Sequence, residues 1–372
     1  MGEKYLGENT GKLGFGFMRL PEKQDGSLDY APMMEMVDAF LDDGFTYFDT
    51  AYIYNGSEEA LREALVRRHP RERFTIATKM PTFMVNRPED MRETFETSMR
   101  RLGVDYLDYY LFHGLSLSQC EKLEGLGAWE FARALKEAGR IRHYGFSFHD
   151  TPENLDAILT RHPDAEFVQL QINYLDWEDE KVRSRDLYET ARRHDKPFVI
   201  MEPVKGGLLA GAGSQAEEIL RSANPDVSEA SWAVRFAASL DGLIAMLSGM
   251  NTMEQLRDNA ATIKSLKPLS AGELETLREV VKVINSVPRI PCTGCRYCVD
   301  NCPQKLNIPF LMHIYNDFLA YRQKVGSGMP FMEATADGRF PSTCIGCRNC
   351  EEHCPQHINI SEIMTKIAAE FE

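Results

Sequence analysis

The sequence predicts an α/β protein: a closed (β/α)8 barrel over residues 1–266, a connecting helix and linker over 267–290, and a smaller, mostly α-helical domain over 291–372. Two observations predict it. From Lys12 to about Leu266, strand-like and helix-like segments alternate in units of about thirty residues, as in a barrel where a helix returns the chain to each next parallel strand. Beyond residue 290 that alternation stops, and eight of the nine cysteines gather in two short runs.

Short apolar runs rich in β-branched and aromatic residues read as strands. They are expected at Lys12–Phe17, Thr46–Phe48, Phe74–Thr78, Tyr106–Phe112, His143–Ser147, Phe167–Gln171, Pro197–Met201 and Leu243–Leu247. Helical patterns lie between them, among them Ala31–Asp43, Ser57–Arg68, Pro88–Arg101 and Glu121–Ala138. Gly44, Gly103 and Gly139 stand where a helix closes through a left-handed residue. Thr151 and Pro152 supply an N-cap followed by proline at the first helical position. Ser57 is expected to cap a helix whose first turn carries Glu58 and Glu59, which suit the positive end of its dipole. An open doubly wound sheet is the competing arrangement. It wants a glycine-rich fingerprint after its first strand, and Gly14-Phe15-Gly16 lacks the rest of that pattern. After Ile263 a polar stretch leads to a helix expected over Ala271–Asn285, and the cysteine-rich domain begins near Pro291.

A chain of 372 residues with 43% hydrophobic and 26% charged residues has the composition of an ordinary globular protein with room for a barrel-sized core. Its formal net charge of -14 argues against nucleic acid and against an anionic membrane surface as partners. Met1 to Thr10 lack the apolar core of a signal peptide, and no run is long and apolar enough to span a bilayer. A reducing, cytoplasmic setting is therefore expected. Cys120 stands alone before a helix and is read as a bystander.

The cysteine runs are Cys292-x2-Cys295-x2-Cys298-x3-Cys302-Pro303 and Cys344-x2-Cys347-x2-Cys350-x3-Cys354-Pro355, the second repeating the first at an offset of 52 residues. The copy also keeps Gly294/Gly346, Arg296/Arg348, Gln304/Gln356, Asn307/Asn359 and Ile308/Ile360. Soft thiolates at this spacing suit an iron–sulfur cube. Disulfides suit an oxidising compartment, and structural zinc more often uses paired Cys-x2-Cys than two complete runs each followed by proline. The runs resemble the bacterial two-cluster [4Fe–4S] ferredoxins. That resemblance implies that the fourth cysteine of each run serves the other cluster: Cys292, Cys295, Cys298 and Cys354 hold one, and Cys344, Cys347, Cys350 and Cys302 the other. The long interval from Pro303 to Thr343, with an apolar helical segment around Pro309–Tyr321, resembles the helical type of this ferredoxin-like module.

In a (β/α)8 barrel the chemistry sits at the C-terminal ends of the strands. Those ends carry Asp49 after the second strand, Lys79 after the third and His113 after the fourth, with Tyr54 in the loop that follows Asp49. A phenol with pKa near 10 is a reluctant acid at neutral pH. A neighbouring ammonium favours its phenolate. In this arrangement Asp49 orients Lys79, Tyr54 exchanges the proton and His113 hydrogen-bonds a carbonyl oxygen. The bland reading is a buried Asp49–Lys79 salt bridge without chemistry. Through Tyr47-Phe48-Asp49-Thr50-Ala51-Tyr52 and Tyr54, then Ala77-Thr78-Lys79 and Leu111-Phe112-His113, the chain resembles the aldo/keto reductases over most of residues 12–265.

The resemblance implies a cofactor laid across the seventh and eighth strand loops, NADP(H) or NAD(H). Ser147 and Gln171 match the carboxamide contacts, while Phe148 stands at the usual Asn and Met201 at the usual stacking aromatic. Glu202, Pro203, Lys205, Gly207 and Leu208 match the phosphate-approach loop. Asp258 and Asn259 match the adenine side. Gly249 and Gln255 occupy positions usually basic for a 2′-phosphate, with Arg257 nearby. Phe17, Tyr52, Met80, His143, His149 and Trp177 line the pocket or simply pack and solvate.

A nicotinamide gives up two electrons as hydride, whereas a [4Fe–4S] cluster takes one at a time. The leading expectation is an oxidoreductase interconverting a small-molecule carbonyl and alcohol with a nicotinamide cofactor and carrying two [4Fe–4S] clusters. The alternatives are an electron-transfer dehydrogenase using FMN and the clusters with an external redox protein, and a redox or nucleotide sensor with a non-catalytic barrel.

Overall fold

The computed structural model describes residues 6, 9–23, 25–211, 213–321, 328–335 and 337–372. The chain divides into two compact units. One is Met1–Val204 with Ala230–Ser270, and the other is Lys205–Glu229 with Ala271–Glu372.

The first unit is a closed barrel of eight parallel strands in sequence order: β1 Lys12–Gly16, β2 Tyr47–Asp49, β3 Thr75–Pro81, β4 Leu107–Leu115, β5 Ile141–Phe148, β6 Phe167–Gln171, β7 Phe198–Met201 and β8 Leu243–Ser248. Its helices are α1 Tyr30–Asp42, α2 Ser57–Leu61, α3 Pro88–Leu102, α4 Leu117–Gly125, α5 Ala128–Glu137, α6 Pro152–Arg161 and α7 Ser184–Arg193. α8, Ser214–Ala223, belongs to the other unit, and α9 Glu229–Ala238 and α10 Met253–Lys264 return the chain to the barrel. Among the described residues no helix is long and apolar enough to cross a membrane.

Strand parity positions the site. Successive side chains of a strand point to opposite faces. Tyr47, Ala77, Tyr109, Leu111, Phe167 and Val199 pack together within the barrel. Phe48, Ile76, Tyr110, Phe112, Phe146 and Phe148 pack in a separate core with the helices. Asp49, Lys79, His113, Ser147, Gln171 and Met201 share the inward parity, so the alternation that builds the core also aims these groups into the barrel.

Several local expectations are corrected. The helix expected over Ser57–Arg68 is α-helical only to Leu61, then takes a wider π turn over Arg62–Val66, with Arg67 N donating to Arg62 O at 3.0 Å. Ser57 does not cap it. Gly56 (φ 69) occupies the N-cap, while the buried Ser57 hydroxyl donates to Phe17 O at 2.6 Å and lies 2.6 Å from Thr50 Oγ1. The helix expected over Glu121–Ala138 is two helices, divided at Gly127 in the left-handed region (φ 76). α4 starts earlier than expected because Ser116 and Gln119 form a capping box. Cys120 therefore lies inside α4, and it is fully buried. Thr151 does cap α6, accepting from Asn154 N, and Gly44, Gly103 and Gly139 all take positive φ.

The second unit contains α8 and α11 Ala271–Ser286, followed by α12 Tyr297–Asp300, α13 Ile308–Tyr321, α14 Gly328–Ala334, α15 Asn349–Glu352 and α16 Ile360–Phe371. Its own core joins Leu306, Leu311, Phe331, Ile360 and Met364 with the cysteines. Part of the Pro303–Thr343 interval, residues 322–327 and 336, lies outside the described residues.

Gly145 on β5 tests this packing. A Cβ there would stand 2.1 Å from the backbone oxygen of Phe167 on the neighbouring strand β6. Because backbone cannot rotate away as a side chain can, Gly145→Ala is expected to destabilise the barrel by about 3 kcal/mol or more, measured by urea unfolding of the full chain. A variant as stable as the parent would contradict the register of these strands.

Candidate functional site

Four of the predicted groups meet at one mouth of the barrel. Lys79 is fully buried, and its Nζ donates to Asp49 Oδ1 at 2.5 Å and to Thr50 O at 2.7 Å. The same Nζ lies 5.2 Å from the centre of the Tyr54 ring. Tyr54 meets His113 edge-on, with ring centres 5.8 Å apart. The loop that presents Tyr54 is fixed by backbone bonds from Tyr54 N to Ala51 O at 3.0 Å and from Ser57 N to Tyr54 O at 3.1 Å.

Burial pushes the Asp49 carboxyl up and the Lys79 ammonium down, and the mutual attraction of the pair opposes both shifts. A second buried carboxylate, Glu58, adds to the field that keeps Lys79 charged. Glu58 is itself fixed by Thr78 Oγ1 at 2.7 Å and Arg101 at 3.3 Å. The sequence suggested Glu58 only as a helix-dipole partner, because its neighbours in space come from β3 and α3. His113 is held well below 6.5 by burial, and further by the charge of Lys79 and by His149. Near neutral pH its ring is therefore uncharged and carries a single N–H.

The remaining expected residues are more dispersed. Ser147 is buried and its Oγ accepts from Gly114 N at 2.8 Å, beside His113. Gln171 Nε2 donates to Asp176 Oδ2 at 2.7 Å. Asn173 donates to the same carboxylate oxygen at 2.7 Å and to Glu202 O at 3.0 Å. Met201 accepts weakly from Gln169 Nε2 at 3.6 Å. Asn259 is buried and donates to Ser248 Oγ at 2.9 Å. Gln255 Oε1 accepts from Asn251 N at 2.9 Å, tying down the start of α10. Phe148, at the usual Asn position, turns outward into the core. Phe17 and Met80 do the same, whereas His143 bonds Glu166.

Arg19, Asn173 and Asp176 were not singled out from the sequence. Arg19 pairs with Glu202 at 3.5 Å and lies beside Gly249, where a Cβ would be 3.8 Å from the arginine side chain. Its position in the loop after β1 was the available signal. Lys205, Gly207 and Leu208 belong to the second unit, and Lys205 Nζ donates to Gln356 Oε1 at 3.0 Å.

In the second unit two cavities collect the cysteine runs. One is lined by Cys292, Cys295, Cys298 and Cys354, and the other by Cys302, Cys344, Cys347 and Cys350. No disulfide links any of the eight. Burial raises Cys298, and its neighbours Cys295, Cys292 and Cys354 raise it further. Cys350 is pushed up to about 11 by burial, with Glu351, Cys302 and Cys344 adding to the shift. Four converging thiolates are unfavourable without a cation, and iron reverses that balance. The donor sets therefore fit two [4Fe–4S] groups. Cys120 is a different case. Its thiol is pushed up to about 12 by burial, with Glu124 adding to the shift, which leaves it unreactive.

A pH dependence follows from His113. In the unfolded chain it titrates near 6.5, so the unfolded state binds more protons below that pH and stability falls as the solution is acidified. His113→Gln removes this linkage. The stability gap between parent and variant, from urea unfolding, is expected to narrow between about pH 7.5 and about pH 5.5. A gap that widens on acidification would contradict the neutral, buried ring.

The aldo/keto reductase family model matches residues 12–282, and a 4Fe-4S dicluster domain model matches residues 291–358. The chain is 32% identical over 184 residues to aldo-keto reductase str7 of Strobilurus tenacellus, over 48% of this chain and 52% of that one. It is 23% identical to the NADH-specific methylglyoxal reductase of Escherichia coli, over 65% of this chain and 85% of that one. The chain spans about half to two thirds of three curated relatives, at 52%, 60% and 66% of their lengths. Among solved structures, the aldo-keto reductase from Klebsiella pneumoniae in complex with NADPH has a TM-score of 0.58 and 23% identity, over 73% of this chain and 90% of that one.

Proposed function

The chain belongs to the aldo/keto reductase family, and we propose that it interconverts a small-molecule carbonyl and its alcohol with a nicotinamide dinucleotide while its C-terminal unit carries two [4Fe–4S] clusters. The observation that carries the catalytic half is the buried Lys79 ammonium, set 2.5 Å from Asp49 Oδ1 and facing the Tyr54 ring beside His113. A structural ion pair alone has no need of a tyrosine and a neutral histidine at its open end.

When bound, the nicotinamide supplies hydride to the carbonyl carbon, or accepts it from the alcohol. Tyr54 gives its phenolic proton to the carbonyl oxygen in reduction and takes it back in oxidation. Lys79 stabilises the phenolate that remains, and Asp49 and Thr50 O hold Lys79 at that place. Neutral His113 donates a hydrogen bond to the carbonyl oxygen and fixes its direction. Ser147 and Gln171, with Met201 on the same inward face, would orient the carboxamide of the dinucleotide. Glu202 and Pro203, just after β7, would approach its phosphates, and Gly249, Gln255, Asp258 and Asn259 would hold its adenine end. Arg19, between Glu202 and Gly249, supplies the positive charge that Gly249 and Gln255 lack.

Each cluster would be held by three cysteines of one run and the fourth of the other, a reading that the linings of the two cavities support. The clusters supply single-electron chemistry. Nicotinamide coenzyme in a solved structure of the fold supports the hydride half, and the dicluster match supports the other.

Tyr54→Phe is expected to lower turnover of an aldehyde by about 10²–10⁴-fold, with dinucleotide binding by fluorescence unchanged. Lys79→Met is expected to be impaired comparably. Turnover by Tyr54→Phe at the parent rate would remove Tyr54 as the proton donor. Protein prepared without oxygen is expected to hold about eight iron and about eight acid-labile sulfides, and Cys120→Ser is expected to keep them all. Stoichiometric zinc without sulfide would refute the cluster half and leave the catalytic half standing.

A further inference from the structure

The two halves of the cysteine-rich unit repeat each other in structure as well as in sequence. Gly294 and Gly346, Arg296 and Arg348, and Lys305 and His357 take positive φ at the same 52-residue offset. α12 and α15 begin at Tyr297 and Asn349, and α13 and α16 at Ile308 and Ile360, again at that offset. Gln304 lines the second cavity as Gln356 lines the first.

The repeat breaks on one side. Gln356 is 4% exposed, and its Oε1 accepts from Lys205 Nζ at 3.0 Å; Lys205 is itself 5% exposed. The next residue, Gly206 (φ 66), approaches Thr293 so closely that a Cβ would stand 2.6 Å from the Thr293 backbone oxygen. Thr293 is 6% exposed, whereas Ile345, its counterpart in the repeat, is 63% exposed. Thr293 and Gln356 both line the cavity of Cys292, Cys295, Cys298 and Cys354. Lys205 and Gly206 therefore pack on two residues of that cavity's lining and place an ammonium one side chain away from it. Lys205 takes a left-handed backbone (φ 46) to do so, a conformation that a residue other than glycine adopts at some strain.

We propose that Lys205 tunes the iron–sulfur group of Cys292, Cys295, Cys298 and Cys354, favouring its reduced state and making the two clusters inequivalent. This rests on the two-cluster reading above. A cube held by four thiolates is already negative, and one added electron makes it more so. A buried cation close by stabilises that added charge. Exclusion of water by the same loop works in the opposite direction, because it disfavours the more highly charged state. Removing the charge while keeping the loop separates the two effects.

The experiment is a mediated reduction titration followed by electron paramagnetic resonance, with dithionite as the one-electron donor, on full-length protein whose iron and sulfide have first been measured. The parent is expected to show two one-electron steps. Lys205→Met and Lys205→Gln are expected to lower the reduced-to-oxidised ratio of one step at least tenfold at fixed potential, about 59 mV for a one-electron couple, and to leave the other step in place. Lys205→Arg is expected to keep both steps where the parent has them. The Gln and Arg side chains both retain a donor for Gln356, so that pair carries the test even if Lys205→Met loses iron. Steps that stay put in Lys205→Gln, or that both move by the same amount, overturn the proposal. Parent protein without sulfide refutes the cluster reading instead, a result recognised before any titration.

Discussion

The buried contact between Lys79 and Asp49 is the constraint around which the barrel mouth is organised. Two charges withdrawn from water lose several kcal/mol of hydration each, and a pair that is merely structural is often less stabilising than apolar packing of the same volume. Here the loss is offset by the 2.5 Å contact with Asp49, the bond to Thr50 O and the field of buried Glu58. Those partners come from β2, the loop after it and the first turn of α2, so the pair also fixes how that loop leaves the barrel. Tyr54 and the uncharged His113 then have defined places against one face of the ammonium. The arrangement concentrates positive charge at the barrel mouth, in surroundings where such charge acts strongly.

The second unit uses repetition where the barrel uses parity. Two copies of one cysteine pattern build two cavities, each completed by a residue of the other copy. That exchange makes the halves interdependent, since neither cavity is lined by the cysteines of one run alone. A duplicated site starts with equivalent surroundings, and differences arise from changes within the copies, such as Thr293 against Ile345, or from outside the repeat. Lys205 and Gly206 come from outside it, from the segment that follows β7 in the chain.

Much of the fold was legible in the sequence because barrel strands are short apolar runs and the inward groups fall at alternate positions. Asp49, Lys79 and His113 could be found at strand ends, and Tyr54 by its distance from Asp49. The breaks at Leu61 and Gly127 were not legible, since a helical apolar pattern continues across both. Ser57 was misread as a cap because its real partners, Phe17 O and Thr50, lie on other strands' loops. Nothing in the local sequence of Lys205 points to Gln356, which lies 151 residues further on. Arg19 and Asp176 were missed because their neighbours are set by barrel closure rather than by chain order.

The account holds that the ion pair persists for the chemistry it supports rather than for stability. A double-mutant cycle on Asp49→Asn and Lys79→Met, read by both unfolding free energy and single-turnover reduction of an aldehyde, tests that most directly. Asp49→Asn alone is expected to cost about 3–5 kcal/mol by leaving a buried ammonium unpaired. The double variant is expected to recover much of that stability while remaining inactive. A double variant that turns over at the parent rate, or an Asp49→Asn variant as stable as the parent, would contradict the account.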